Sequence, residues 1–171
     1  MKNFPPYSRQ IQQRRRTVLF MLSRARPDER VVRIGSWAAF RAQAQPIRFQ
    51  VFVQEQQVPP KLELDEFDAI SAHALALDPA GKPVGTGRLL PDGHIGRVAV
   101  LPPWRNAGIG ARIMRALLNE ARRQGLSTVE LSAQCHARRF YENLGFTAVG
   151  SVYMEAGIEH IVMRMDVSAA T

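Results

Sequence analysis

Arg105-Asn106-Ala107-Gly108-Ile109-Gly110-Ala111 sets a cation ahead of two glycines, in the order R-x-x-G-x-G, where a strand-like run ending at Leu101 gives way to a helix-periodic segment. The chemistry such a run can do is anion binding. Glycine lets a ligand approach the backbone, and a helix N-terminus offers unpaired N–H groups plus a dipole that favours negative charge by up to ~2 kcal/mol. A diphosphate suits it. Two familiar phosphate loops fit poorly. A Walker loop needs Gly-Lys-Ser/Thr, which is absent. A dinucleotide fingerprint needs its glycines directly after the strand, whereas Pro102 to Ala107 intervene and Ile113 holds the third glycine position. Glu130 stands about where that fold keeps its ribose-binding acid, so the reading stays open, as does a glycine-rich helix start without a ligand.

A second reactive group stands in Ala137-Arg138-Arg139-Phe140-Tyr141-Glu142-Asn143-Leu144-Gly145-Phe146. Helical spacing lets Phe140 and Leu144 bury one face while Tyr141 points elsewhere, and Gly145 supplies a left-handed exit. The phenol is then available for proton chemistry; a tyrosine that merely packs, with its hydroxyl bonded, is the alternative. Cys135 is the sole cysteine. At the start of a short helix it could serve as an acyl-cysteine nucleophile, and a buried inert thiol satisfies the sequence equally.

The elements that must hold these groups follow from pattern and turn chemistry. Val31 to Ile34 reads as a strand, and Ser36 as the N-cap of a helix carrying Trp37, Phe40 and Ala44 that Pro46 interrupts. The pattern resumes at Ile47, Val51 and Phe52 and stops at Val58-Pro59-Pro60. After the acidic residues Glu63, Asp65, Glu66 and Asp68 come three strands, Ala72 to Leu77, Val84 to Leu90 and Ile95 to Leu101, joined by turns as an antiparallel meander. Ile109, Ile113, Leu117 and Ala121 mark one buried helix face ending at Gly125. A strand over Thr128 to Ala133, a short helix over Arg138 to Leu144, and strands over Phe146 to Tyr153 and Ile161 to Val167 complete an α/β (α+β) chain.

The R-x-x-G-x-G run and the later A-x-x-F-Y-x-x-L-G-F run together resemble the coenzyme A loop and the tyrosine helix of the GNAT acyltransferases. Ile47-Arg48, Val51-Phe52-Val53, Glu55-Gln56, the acidic stretch, His73 and Val84-Gly85-Thr86-Gly87-Arg88-Leu89-Leu90 are similar to a bacterial GNAT branch whose N-terminal half is shared with acyl-homoserine lactone synthases. The resemblance spans about Val31 to Val167. It implies a central mixed, mostly antiparallel sheet, flanked by helices and splayed between its fourth and fifth strands. It also implies acetyl-CoA as co-substrate, without a metal, and transfer of the acetyl group to a primary amine in a ternary complex.

On that resemblance, the pantetheine arm would add like a strand to the backbone of Val98, Ala99 and Val100. Arg105 and the amides of Asn106, Ala107, Gly108, Ile109, Gly110 and Ala111 would hold the diphosphate. Gln134 stands where the family often has Asn, so a pantetheine contact there is an open point. Tyr141 would protonate, or hydrogen-bond, the departing thiolate as general acid. Family members that carry a base on the pantetheine strand direct attention to His94, six residues before Val100; a wet turn residue after Pro91-Asp92-Gly93 is its other reading. Glu63, Asp65, Asp68, His73, Glu155 and His160 are further base candidates, and a base acting through water is another.

Apolar residues make up 46% of the 171, and no apolar run approaches the roughly 18 a membrane span needs. Most of the net charge of +8 lies in the first 33 residues, where Lys2, Arg9, Arg14, Arg15, Arg16, Arg24, Arg26, Arg30 and Arg33 meet only Asp28 and Glu29. Residues 1–30 are therefore read as a basic arm and 31–171 as the GNAT domain. Val18 to Leu22 is too short for a secretory core. Nucleic acid is not the expected partner, because Phe4, Tyr7 and Phe20 are too sparse to stack bases. The lone cysteine requires no oxidising compartment, and cytoplasm is the expected location. Expected partners are the thioester and a small amine or peptide amine, with a homodimer allowed. A non-catalytic acyl-CoA-binding regulatory or interaction module is the alternative function.

Overall fold

The computed structural model describes residues 31–168. The basic arm assigned to residues 1–30 lies outside them. Ser36 closes strand β1 (Val32–Ser36) and caps helix α1 (Trp37–Arg48), its extended backbone letting the hydroxyl accept from Ala39 N–H at 3.3 Å.

Pro46 does not interrupt this helix as expected; α1 runs through it. An interior proline forfeits one backbone bond and crowds the preceding turn. Burial on both sides outweighs that: Ala44 packs with Leu75 and Leu77, Ile47 with Val51 and Ala99, and Arg48 is wholly inaccessible. The chain continues directly into a π-helical segment, Phe49–Glu55, whose wider turn no periodicity argument had separated from α1.

Strands β2 (Ala72–Leu77), β3 (Pro83–Leu89) and β4 (Ile95–Val100) form the expected meander, with β1 added antiparallel to β2. Helix α3 (Ile109–Arg123) follows the short helix α2 (Pro60–Glu63) in chain order and lies across this sheet. Its Ile109, Ile113, Met114 and Leu117 are inaccessible or nearly so, each contributing ~1.5–3 kcal/mol by leaving water. Close approach needs glycine beneath: a Cβ on Gly85 or Gly87 would meet Ile113 methyls at 2.9 and 2.8 Å.

A second sheet holds β5 (Thr128–Gln134), β6 (Thr147–Glu155) and β7 (Ile158–Asp166), ordered β5-β7-β6 and antiparallel throughout. The expected opening between the fourth and fifth strands is present. β4 and β5 meet through a parallel bridge of His94 with Glu130, where Glu130 N–H donates to Gly93 C=O at 3.1 Å, and then they diverge. Short helix α4 (Arg138–Glu142) leaves through Gly145 at φ +100°, the left-handed exit its sequence position demands.

The acidic stretch is a buried fastening for α1 and the sheet. Arg48 Nε donates to Glu63, and its Nη1 and Nη2 donate to Asp68 at 2.7 and 3.1 Å. Arg88 donates to both Asp65 oxygens at 2.5 and 3.0 Å and to Asp68 at 2.9 Å. Burial alone would raise the pKa of Asp68, but the hydrogen bonds and charges of the two arginines outweigh it and hold it below the usual carboxylate range. Trp37 lies over Arg48, with 5.0 Å from ring centre to guanidinium carbon.

Candidate active site

The diverging strands leave a cavity of about 640 Å³. Val98, Ala99 and Val100 form one wall, Ser132 and Gln134 of β5 the other, and the π-helical segment supplies Val51, Phe52 and Glu55. Along this wall Ala99 and Val100 pair with Thr86 and Gly85 of β3, and among the described residues no strand pairs with them on the β5 side. An extended ligand can add there without displacing sheet bonds.

At the C-terminal end of β4 the loop into α3 turns through two left-handed residues, Asn106 at φ +58° and Gly108 at φ +77°. Alternating handedness aims successive N–H groups into one concavity, which suits an anion. A Cβ on Gly108 would meet nothing within 4 Å, so glycine is needed there for its backbone angle. Gly110 has a different reason: its Cβ would press on the Phe140 ring at 3.3 Å, so it also sets the seat of α4 against α3.

Arg105 lines the same end of the cavity with its guanidinium already engaged. Nη1 and Nη2 each donate to Glu55 at 2.7 Å, and Nε donates to Val100 C=O at 2.9 Å. The bidentate contact from Arg105, with the guanidinium charge, holds the Glu55 carboxyl below its ordinary range. This clamp ties the π-helical segment to the end of β4, and no sequence spacing pointed to it. Gln134 makes a parallel tie, donating to Gln56 Oε1 at 2.9 Å.

Tyr141 also lines the cavity, edge-on to Phe140 (5.0 Å) and Phe146 (6.0 Å). Burial pushes its phenol up to about 12, so it stays protonated at neutral pH. Among the described residues its hydroxyl has no hydrogen-bond partner. Cys135 packs against the core and is not part of the cavity wall.

His94 is not brought together with these residues. It stands at the closed end of the opening, 52% exposed, with Nδ1 3.1 Å from Asp92 and Nε2 3.3 Å from Glu130. Of the other base candidates, Asp65 and Asp68 are held by arginines, and buried His73 hydrogen-bonds Asp68 C=O at 2.9 Å. Glu63 touches the cavity while paired with Arg48.

His160 and Glu155 do reach the wall. His160, 8% exposed and directly opposite Gln134 in register, places Nδ1 2.8 Å from Ile158 C=O. A carbonyl can only accept, so Nδ1 carries the proton and neutral His160 keeps a lone pair on Nε2. Beside it Tyr153 stacks on the imidazole and bonds Ser132, which donates to Glu155 at 3.3 Å. The expected last strand begins at Ile161, whereas β7 begins at Ile158 and so includes His160; that its face meets the cavity depends on the splay.

Residues 38–167 match the family model described as an acetyltransferase (GNAT) domain. The chain belongs to the GNAT family. This GNAT chain is 40% identical over 124 residues to YjcF of Bacillus subtilis, described as an uncharacterized N-acetyltransferase, covering 70% of itself and 88% of that protein. An acyl-CoA N-acyltransferase from Pseudomonas aeruginosa superposes with a TM-score of 0.71 at 33% identity, covering 80% of this chain and 99% of that one. A CoA-dependent acyl-homoserine lactone synthase, BjaI, has a TM-score of 0.68 at 17% identity over 81% and 83% of the two chains, a likeness of fold alone. The enzyme is thus a GNAT N-acetyltransferase, and the family implies an acyl-CoA donor. No described helix is long and apolar enough to cross a membrane.

Proposed function

We propose that this GNAT domain moves an acetyl group from acetyl-CoA directly to a primary amine, with both held in the cavity between β4 and β5. The supporting observation is that one open strand edge and one protonated phenol line that cavity together with Arg105, from which the loop turns left-handed at Asn106 and Gly108 into the start of α3. When bound, the thioester supplies an activated acyl carbon and a thiolate leaving group. Val98, Ala99 and Val100 would hold the pantetheine arm, and the backbone from Asn106 to Ala111 the diphosphate, with Arg105 at its edge.

The acceptor arrives as an ammonium and must lose one proton before its nitrogen can attack. We assign that proton to Nε2 of His160, in place of His94, because His160 lines the cavity with its lone pair fixed by the Ile158 bond. Nitrogen then bonds to the acyl carbon as the C–S bond breaks, and the second N–H proton, acidic on the positively charged nitrogen, passes to the departing thiolate, which leaves as the free thiol. Tyr141 donates a hydrogen bond to the departing sulfur.

Calorimetry with acetyl-CoA tests the first half, with micromolar affinity, on the order of −8 kcal/mol, as the expected scale. A screen of primary amines that follows free thiol release tests the second. No heat of binding would overturn the assignment of the donor; binding without thiol release from any amine would favour a non-catalytic acyl-CoA-binding module.

A further inference from the structure

Arg97 occupies a place in the cavity wall that neither the diphosphate nor the proton transfers use. It stands at a bulge of β4: Ala99 pairs with Thr86 and Gly96 with Arg88, so Arg97 and Val98 together oppose Gly87. Its backbone is left-handed at φ +51°, an unfavourable setting for a long side chain that the surrounding structure must impose. The side chain at the bulge reaches the cavity and the C-terminal end of α2, with 29% of it exposed.

The guanidinium is fixed at one edge and open at the other. Nε donates to Glu63 C=O at 3.1 Å, and Nη2 to Leu62 C=O at 3.0 Å and Asp65 Oδ2 at 3.2 Å. Nη1 has no partner among the described residues. Two of its three contacts are uncharged carbonyls, and the third, Asp65, is already gripped through both oxygens by Arg88. The cation is consequently short of counter-charge. Burial, then repulsion from Arg88 and Arg48, outweighs the pull of Asp65 and Glu63 and lowers its pKa.

We propose that Arg97 anchors a carboxylate of the acyl acceptor, which makes the acceptor a small amino acid or another amine carrying a carboxylate. This rests on the acyl-transfer reading above. Arg97 immediately precedes the stretch assigned to the pantetheine arm, and successive strand residues advance only about 3.3 Å, so an anion on Nη1 lies within reach of the acyl carbon. Glu155 and His160 on the facing wall suit the ammonium end of the same molecule. The N–H groups of Nη1 suit a monoanion, whereas a phosphate dianion would meet the Glu155 charge more strongly.

The test compares matched acceptors, glycine and β-alanine with their amides, in acetyl-CoA-dependent thiol release by wild type, Arg97→Gln and Arg97→Lys. Wild type is expected to favour the carboxylates by about 10- to 100-fold in kcat/KM, as for a hydrogen-bonded charged group. Arg97→Gln is expected to bring the ratio near one, and Arg97→Lys to retain part of it. An independent arm titrates N-acetylglycine and N-acetylglycinamide into CoA-saturated protein by calorimetry. Only the carboxylate should bind, and Arg97→Gln should abolish it while CoA affinity stays within about twofold, which also certifies the fold. Equal binding of acid and amide by wild type, or binding of the acid unaltered in Arg97→Gln, overturns the proposal. A wild type that does not bind CoA refutes the acyl-transfer reading instead.

Discussion

Tyr141→Phe removes one oxygen from the cavity wall and leaves the ring packed against Phe140 and Phe146. A phenol at about 12 lies roughly 3.5 units above a thiol near 8.5, so full proton transfer to a thiolate would run uphill by about 5 kcal/mol. In the proposed reaction Tyr141 would therefore act as a hydrogen-bond donor to developing charge on sulfur and keep its proton. A hydrogen bond to a charged group is worth ~1.5–3 kcal/mol, which puts the loss of kcat in Tyr141→Phe at roughly 10- to 150-fold. KM for acetyl-CoA should change little, because the contact strengthens only as the C–S bond breaks. Stability should hold within about 0.5 kcal/mol, since no partner among the described residues is orphaned. Single-turnover thiol release with an accepted amine, alongside thermal unfolding, measures all three. A variant with near-normal kcat would refute the role. A basic limb in the wild-type pH–rate profile near pH 9–10 that disappears in Tyr141→Phe would refute the donor-only reasoning, because it would show the phenol ionising within reach of ordinary pH.

Arg48→Met should destabilise by about 3–5 kcal/mol, since Glu63 would stay buried without its partner and Asp68 with Arg88 alone; this lowers the unfolding midpoint by roughly 6–20 °C in calorimetry. Gly110→Asp should weaken acetyl-CoA by about tenfold or more through its charge at the α3 start, while Gly110→Ala, which makes only the Phe140 contact, should change it by less than about threefold; equal effects would place the diphosphate elsewhere. His73 is held neutral, its pKa lowered by burial, so the unfolded chain binds the extra proton below about pH 6.5 and stability falls as pH drops through that value. In His73→Gln that dependence should flatten, and unfolding midpoints compared between about pH 7 and pH 5 would expose a wild-type slope unchanged by the substitution.

Most elements were legible because each is specified by neighbours in the chain. Ser36 caps α1, Gly145 ends α4, and Ile109 through Ala121 repeat at helical spacing whatever they pack against. The left-handed loop before α3 and the placement of Tyr141 on α4 were legible for the same reason, since backbone handedness at Gly108 and the one-residue offset of Tyr141 from Phe140 are local properties. Pro46 was misread because a local rule about proline carries no knowledge of what Ala44, Ile47 and Arg48 gain by burial on either side of it. The acid run at 63–68 carried a signal that could have been used: unpaired carboxylates cannot be buried, and arginines in apolar strands at 88 and 97 need partners.

What only the tertiary structure decided is which groups face one another across the opening of the sheets. Uninterrupted alternation would put His94 on a face shared with Val100, but the bulge at Arg97 adds one residue and reverses the alternation before it, and β4 and β5 touch at His94 and separate beyond it, so the histidine lies at the closed end. His160 reaches the cavity through a pairing with Gln134 in a different strand, and Ile158 selects its tautomer. The Glu55–Arg105 clamp and the bulge at Arg97 join residues that are far apart in sequence or depend on a register shift. Such contacts arise from the order of packing of whole elements, and no period, cap or spacing within one segment encodes them.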